Sequence, residues 1–223
     1  MNQQKSILLI GSGGREHSIA HLLAKSPQCG KLFIAPGNPG TFQCGENIDV
    51  QVNDIDGLVS IAKKYSIDCT FVGPEAPLAA GIVDEFTKHG LTIIGPNKIA
   101  SQLESSKAWA KAKYKKYGIP TADYAEFNEL SQALKYVTEK NTYPIVIKAD
   151  GLAAGKGVTI AQSYDEAKKA LEDCFVNQVF KSAGDCVVIE DFLHGEEASL
   201  FAFTDGHTVL PMVSAQDHKA IYD

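Results

Sequence analysis

The chain has 223 residues, 44% hydrophobic and 22% charged, and its 21 Lys and Arg against 27 Asp and Glu give a net charge of −6. These fractions exclude a disordered, fibrous or collagen-like chain. With no basic stripe along the sequence, they also argue against a nucleic-acid or anionic-membrane partner, while leaving room for local phosphate sites.

Residues 6–10 form a first apolar run, too short for a signal-peptide core, and no later run reaches the ~18 residues of a membrane-spanning helix. Strands are predicted at 6–10, 31–35, 69–73 and 91–94, alternating with helix-period segments at 15–25, 54–65 and 77–89. The third helix ends on Lys88 and His89, with Gly90 suited to the left-handed position that follows. Strands alternating with helices, without tight hairpin signals, imply a parallel α/β sheet with right-handed crossovers. A long helix is predicted over 97–117, closed by Gly118 and Pro120, with the basic run Lys111 to Lys116 as its solvent face. The pattern then changes. Helices at 128–140 and 164–175 flank two apolar runs, 144–150 and 157–161, joined by a glycine-rich loop, which implies an antiparallel hairpin in a second, α+β domain. Strands at 187–190, 198–204 and 207–213 follow, the last two joined by the hairpin turn Asp205-Gly206. A sheet begun this late has little chain before Asp223 to cover it, so the expectation is a fragment or a shortened form. The five cysteines (Cys29, Cys44, Cys69, Cys174, Cys186) have no metal-ligand spacing, as expected of reduced thiols in a cytoplasmic protein.

Gly11-Ser12-Gly13-Gly14 joins the first strand to the first helix, where exposed amides and the positive helix end favour an anion. A dinucleotide fingerprint is incomplete here. Glu16 replaces its third glycine, and no acidic residue ends the second strand to hold a ribose, so NAD is disfavoured. Pro36-Gly37-Asn38-Pro39-Gly40, Gly73-Pro74-Glu75-Ala76-Pro77 and Gly95-Pro96-Asn97 follow the other strands. Turn-making alone accounts for any one of these segments. Four at one carboxyl edge, with Asn38 and Glu75 as polar contacts, suit a small phosphorylated sugar.

The second constellation runs from Lys148 through Asp150, Gly151, Gly155 and Lys156 to Gly157. It departs from a Walker A loop: three residues separate Gly151 from Gly155, Gly157 stands where Ser or Thr belongs, and a strand follows instead of a helix. A flexible glycine flap between two strands remains. Lys148, beside the apolar run 145–147, needs polar partners, which triphosphate oxygens would supply; the other reading turns it to solvent. Glu190-Asp191-Phe192-Leu193 leads from a strand into a hinge suited to flank adenine, and Glu196-Glu197 could accept bonds from ribose hydroxyls. Lys107 is ambiguous by itself, as is Asp217-His218-Lys219, which is either catalytic or a polar tail.

Taken with Arg15-Glu16-His17, Gln102 to Lys107 and His194-Gly195-Glu196-Glu197-Ala198, these segments together resemble the phosphoribosylamine–glycine ligases (glycinamide ribonucleotide synthetases) of the ATP-grasp superfamily, in order and over nearly the whole chain. The resemblance implies a Rossmann-like, pre-ATP-grasp α/β domain over 1–100, a linker helix over 101–120, a small α+β ATP-grasp domain over 121–190 and the start of the central ATP-grasp domain over 191–223. It implies ligation of glycine to 5-phosphoribosylamine in purine biosynthesis: ATP phosphorylates the glycine carboxylate, and the sugar amine attacks the glycyl phosphate. By the family pattern Lys107, Lys148, Gly151, Gly155, Lys156 and Gly157 serve the ATP phosphates, Glu190, Asp191, Phe192 and Leu193 the adenine, and Glu197 the ribose. Gly13, Gly14, Asn38, Gly73, Pro74 and Glu75 hold phosphoribosylamine, and Lys148, Asp217 and His218 are the catalytic candidates. The ligands for Mg2+ or Mn2+ are expected beyond Asp223, with none in this chain. The 223 residues alone are accordingly expected to be inactive or nearly so, the alternative being a shortened, non-catalytic nucleotide- and sugar-phosphate-binding module of the same ancestry.

Overall fold

The computed structural model describes residues 4–153 and 156–216. Strand β1 (Lys5–Gly11) buries Leu8, Leu9 and Ile10 completely, and β2 (Cys29–Pro36) buries Leu32, Phe33, Ile34 and Ala35. A strand apolar on both faces needs cover on both, and helices of a parallel sheet supply it. Helix α1 (Gly14–Ala24) places Ala20 over Leu9, Leu32 and Ile34 on one face. On the other, α2 (Ile55–Lys64) brings Leu58 and Val59, and α4 (Ile82–Lys88) brings Ile82 and Phe86, against Leu8, Ile10 and Phe33. With β3 (Glu46–Asn47), β4 (Cys69–Val72) and β5 (Ile93–Ile94) the sheet order is β3-β2-β1-β4-β5, and every pairing is parallel. Chain order reverses between β1 and β4, so the turns after these two strands border the crevice where such sheets hold ligands.

The second sheet is antiparallel in the order β6-β9-β7-β8, from β6 (Tyr124–Phe127), β7 (Ile145–Ala149), β8 (Val158–Ala161) and β9 (Val187–Asp191). Side chains alternate along these strands. Ile145, Ile147, Val187 and Ile189 face a core built with Ala133 and Val137 of α7 (Leu130–Lys140) and Leu171 of α8 (Tyr164–Phe175). Lys148 and Glu190 therefore lie on the opposite face.

Three expectations are corrected. The helix predicted over 77–89 is two, α3 (Glu75–Ala80) and α4, because Gly81 takes a left-handed φ of +101° between them. The helix predicted over 97–117 is also two, α5 (Gln102–Ser105) and α6 (Lys107–Tyr117), with Ser106 extended between them. Ser106 caps the second by accepting the Trp109 N–H at 3.1 Å, and the Asp150 carboxylate accepts the Ala108 N–H at 2.6 Å. An anion at a helix N-terminus is favourable there, but it comes from 42 residues away and leaves no local trace. The late hairpin is shorter than predicted, β10 (Ala202–Thr204) against β11 (Val209–Pro211), because the turn is wider than two residues: Asp205 Oδ1 accepts the His207 and Thr208 N–H groups. Leu200, Phe201, Val209, Leu210 and Val213 around it are more than half exposed.

Phe86 is fully buried between α2, α4 and the sheet. Phe86→Ala is expected to lower unfolding free energy by about 3–5 kcal/mol, read as a shift in the urea midpoint at unchanged slope.

Candidate functional site

At the carboxyl edge of the parallel sheet Glu16 folds back from the first turn of α1. Its Oε2 accepts the Gly13 N–H at 2.7 Å, and the residue is only 4% exposed. A Cβ on Gly11, Gly13 or Gly73 would run into this side chain, which is why glycine stands on both sides of the crevice. Glu16 Oε1 is buried and has no hydrogen-bond partner among the described residues. A carboxylate therefore packs against the glycines on both sides of the crevice, at the position where a dinucleotide fingerprint has its third glycine.

The neighbouring turn is fastened to the first. Asn38 donates from Nδ2 to the Ser12 carbonyl at 2.9 Å, and its Oδ1 accepts the Gly40 and Thr41 N–H groups at 2.8 and 3.2 Å. Its carboxamide thus ties together the turns after β2 and β1. Across the crevice Arg15 meets Glu75 in a two-pronged pair, at 2.9 and 3.4 Å. The guanidinium hydrogen bond holds the Glu75 carboxyl below its usual range; the pair is exposed enough to add little stability. In the fourth turn, Asn97 Oδ1 caps the Ala100 N–H at 2.8 Å and serves local structure.

This rim and the flap share one cavity of about 620 Å³. Arg15, Pro74 and Glu75 line it from the edge of the parallel sheet, Leu152, Ala153 and Gly157 from the loop between β7 and β8, and Glu104 and Lys107 from α5 and α6. Lys107 Nζ donates to the carbonyls of Asp150 and Gly151 at 3.3 and 3.0 Å, at the root of the flap. Burial pushes its ammonium below the usual lysine range, against the pull of Asp150 and Glu104. Gly151 packs on Ala183, and Gly157 on Ala149 and Ala153, with no room for a Cβ at either position.

A second cavity of about 210 Å³ shares Glu104 and Lys107 with the first and is lined by Lys111, Lys148 and Glu190. Lys148 projects from β7 into it and meets Glu190 Oε1 at 2.9 Å, so its polar partner is a carboxylate of the protein itself. Glu190 is buried, and its Oε2 meets Lys111 at 2.9 Å. Lys111 corrects the expectation of a solvent-facing basic run: it is 6% exposed, because the α6 face bearing Ala110 and Lys111 packs toward β9. Lys115 and Lys116 are exposed as expected.

The other expected residues are placed as follows. Asp191 turns its carboxylate to Lys140 on α7 at 2.6 Å, Phe192 packs edge-on against His194, and Leu193 is exposed. Gly14, Lys156 and Glu197 are exposed. Gly155, Asp217 and His218 lie outside the described residues. Among the described residues no three His, Cys, Asp or Glu side chains converge to hold a metal ion. Glu16, Asp150 and Lys111 did not emerge from the sequence as site residues. Lys111 was within reach, since it is one helical turn from Lys107 and shares its face.

Glu16→Ala removes the carboxylate that accepts the part-buried Gly13 amide, a charge-assisted hydrogen bond, and is expected to cost about 1–3 kcal/mol of stability. The loss is read by chemical denaturation, with amide-exchange protection falling first at the β1–α1 turn.

Residues 5–104 match the family model for the phosphoribosylglycinamide synthetase N domain, and residues 105–223 match that for its ATP-grasp (A) domain. A phosphoribosylamine–glycine ligase of Vibrio parahaemolyticus is 51% identical over 219 residues, covering 97% of this chain and 51% of that protein. The crystal structure of phosphoribosylamine–glycine ligase from Thermotoga maritima superposes with a TM-score of 0.76 at 31% identity, over 94% of this chain and 49% of that one. An N5-carboxyaminoimidazole ribonucleotide synthetase in its ADP complex shares the fold, with a TM-score of 0.70 at 19% identity, over 99% of this chain and 56% of that one. The chain spans about half the length of the curated relatives it matches. With both family models matched end to end across a rim and a flap that meet in one cavity, the chain belongs to the phosphoribosylglycinamide synthetase family.

Proposed function

We propose that this chain supplies the sugar-phosphate rim and the nucleotide-phosphate wall of an ATP-dependent ligation of glycine to 5-phosphoribosylamine. The observation that carries the reading is the single cavity of about 620 Å³ running from Glu75 and Pro74 at the sheet edge to Lys107 and the flap. A carboxylate is a poor electrophile. Its oxygen attacks the γ-phosphorus of ATP, ADP leaves, and the resulting glycyl phosphate has a leaving group. The sugar amine then attacks the carbonyl carbon, phosphate departs with the C–O bonding pair, and the nitrogen gives up a proton, leaving glycinamide ribonucleotide. Such a reaction needs reactants held together and phosphoryl charge neutralised more than it needs covalent help from the protein.

In this reading Lys107 and Lys148 bind the triphosphate, with Gly151, Gly155, Lys156 and Gly157 of the flap against it. Backbone and side chains of Glu190 to Leu193 flank the adenine, and Glu197 meets the ribose. Gly13, Gly14, Asn38, Gly73, Pro74 and Glu75 form the phosphoribosylamine rim, Asn38 by holding two turns in register and Glu75 by presenting a carboxylate oriented by Arg15. Asp217 and His218 keep their place as catalytic candidates. Mg2+ or Mn2+ would lower the charge on the phosphates, and its ligands are assigned to segments other than the described residues. The division at 100, 120 and 190 and a cytoplasmic location belong to the same reading.

Lys148→Ala removes a charge-assisted contact to phosphate, and ATP affinity of the chain is expected to fall about tenfold or more, with the parallel-sheet domain still folded by amide-exchange protection. Unchanged affinity would take Lys148 out of the nucleotide site. ADP release dependent on both glycine and phosphoribosylamine tests the reaction in a protein of the relatives' full length. Binding of ATP and a sugar phosphate without ADP release would assign a binding module instead.

A further inference from the structure

Lys111 is a buried ammonium with no donor to spare. Its three acceptors are Glu190 Oε2 at 2.9 Å, Thr121 Oγ1 at 2.7 Å and the Ala122 carbonyl at 3.2 Å. Whatever Lys111 does for a ligand, it does through another residue. That residue is Glu190, whose second oxygen holds Lys148 at 2.9 Å. The group is two cations on one buried anion, and its members differ in freedom: Lys111 and Glu190 are buried, whereas the Lys148 side chain is 28% exposed and faces the cavity it shares with Lys107.

A buried carboxylate stripped of its counter-charge is strongly penalised. Were Lys148 the only partner of Glu190, turning Lys148 toward an incoming phosphate would strand that carboxylate, and the penalty would be charged against binding. With Lys111 on the other oxygen, Glu190 stays neutralised while Lys148 changes partner. We propose that Lys111 is a positioning residue: the fixed counter-ion of Glu190, which leaves the charge of Lys148 available to a polyphosphate. The inference rests on the nucleotide reading above and adds to it a consequence that a purely structural peg does not share. The contribution of Lys111 scales with the negative charge of the ligand and vanishes when Glu190 is uncharged.

The test is a double-mutant cycle by calorimetric titration of the 223-residue chain with ATP and with adenosine. Lys111→Met is expected to weaken ATP by about tenfold while changing adenosine by less than about threefold. In a Glu190→Gln background the same substitution is expected to change ATP by less than about threefold, and Lys111→Arg, which keeps the charge, is expected to retain ATP binding. Equal losses for ATP and adenosine, or an undiminished ATP loss in the Glu190→Gln background, would overturn the proposal and leave Lys111 a structural peg. Should Lys111→Met not fold, Lys111→Gln carries the same comparison, since it keeps a donor for Thr121 and Ala122 but not the charge. A wild-type chain that binds neither ligand removes the nucleotide reading itself, and this inference with it; a wild type that binds both but fails the cycle removes only the inference.

Discussion

Glu190 is a largely buried carboxylate, and such a group must be met by positive charge or by several hydrogen bonds. It is met from two directions, by Lys111 on α6 and by Lys148 on β7. The first of these fastens the connecting helix to the antiparallel sheet. The second is a diagonal neighbour on the sheet's own face, since Lys148 pairs with Val188 and Glu190 lies two residues further along β9. One buried anion thus sets both where the helix sits on the sheet and where the cavity's lysine stands. A second anion, Asp150, does the complementary work one turn away at the N-terminus of α6, taking the Ala108 amide and the Ser106 hydroxyl. Together they fix a helix bearing Lys107 across the root of the flap.

Local periodicity carried the regular elements well. The helix predicted over 164–175 is α8 (Tyr164–Phe175), the parallel sheet has its expected four strands, and the glycine loop lies in an antiparallel hairpin. Apart from the break at Gly81 and the wide turn at Asp205, which are local, what periodicity missed comes from partners distant along the chain. Ser106 breaks a helix because Asp150 docks on the new N-terminus, and Lys111 leaves the solvent because Glu190 waits on β9. The strands β3 (Glu46–Asn47) and β6 (Tyr124–Phe127) were not predicted at all. The first is two polar residues held by β2, and the second owes its form to β9. Propensity windows see neither.

The site was legible as residue types at strand ends, and less so as roles. Gly11, Gly13 and Gly73 read as amides open to an anion; in the structure they are glycine because Glu16 lies against them. Asn38 read as a ligand contact, and its side chain is committed to Ser12, Gly40 and Thr41. Asp191 read as part of a nucleotide hinge, and its carboxylate is held by Lys140. In each case side-chain groups of the chain itself already occupy the position that the spacing offered to a ligand. Sequence spacing reports where the backbone turns and has no access to which acceptor is already taken.

Compensation of charge is uneven along the cleft, and this orders it. At the rim, Glu75 and Arg15 neutralise each other in an exposed pair. At the flap root, Lys107 is half buried and its hydrogen-bond acceptors are two neutral carbonyls, of Asp150 and Gly151. Beside it Lys148 shares a single carboxylate with Lys111. The lysines therefore cluster away from the rim, among the carboxylates of Glu104, Asp150 and Glu190, and a charge acts more strongly there than in open solvent. The ammonium of Lys107, pushed down by burial against the pull of Asp150, Glu104 and Glu190, gains further when an anion replaces its carbonyl partners. A ligand carrying several negative charges meets the most ammonium groups at that inner end, while the rim offers one guanidinium beside the carboxylates of Glu75 and Glu16. In the proposed reaction the nucleotide phosphates belong at the lysine end of the cleft and the sugar phosphate at the rim.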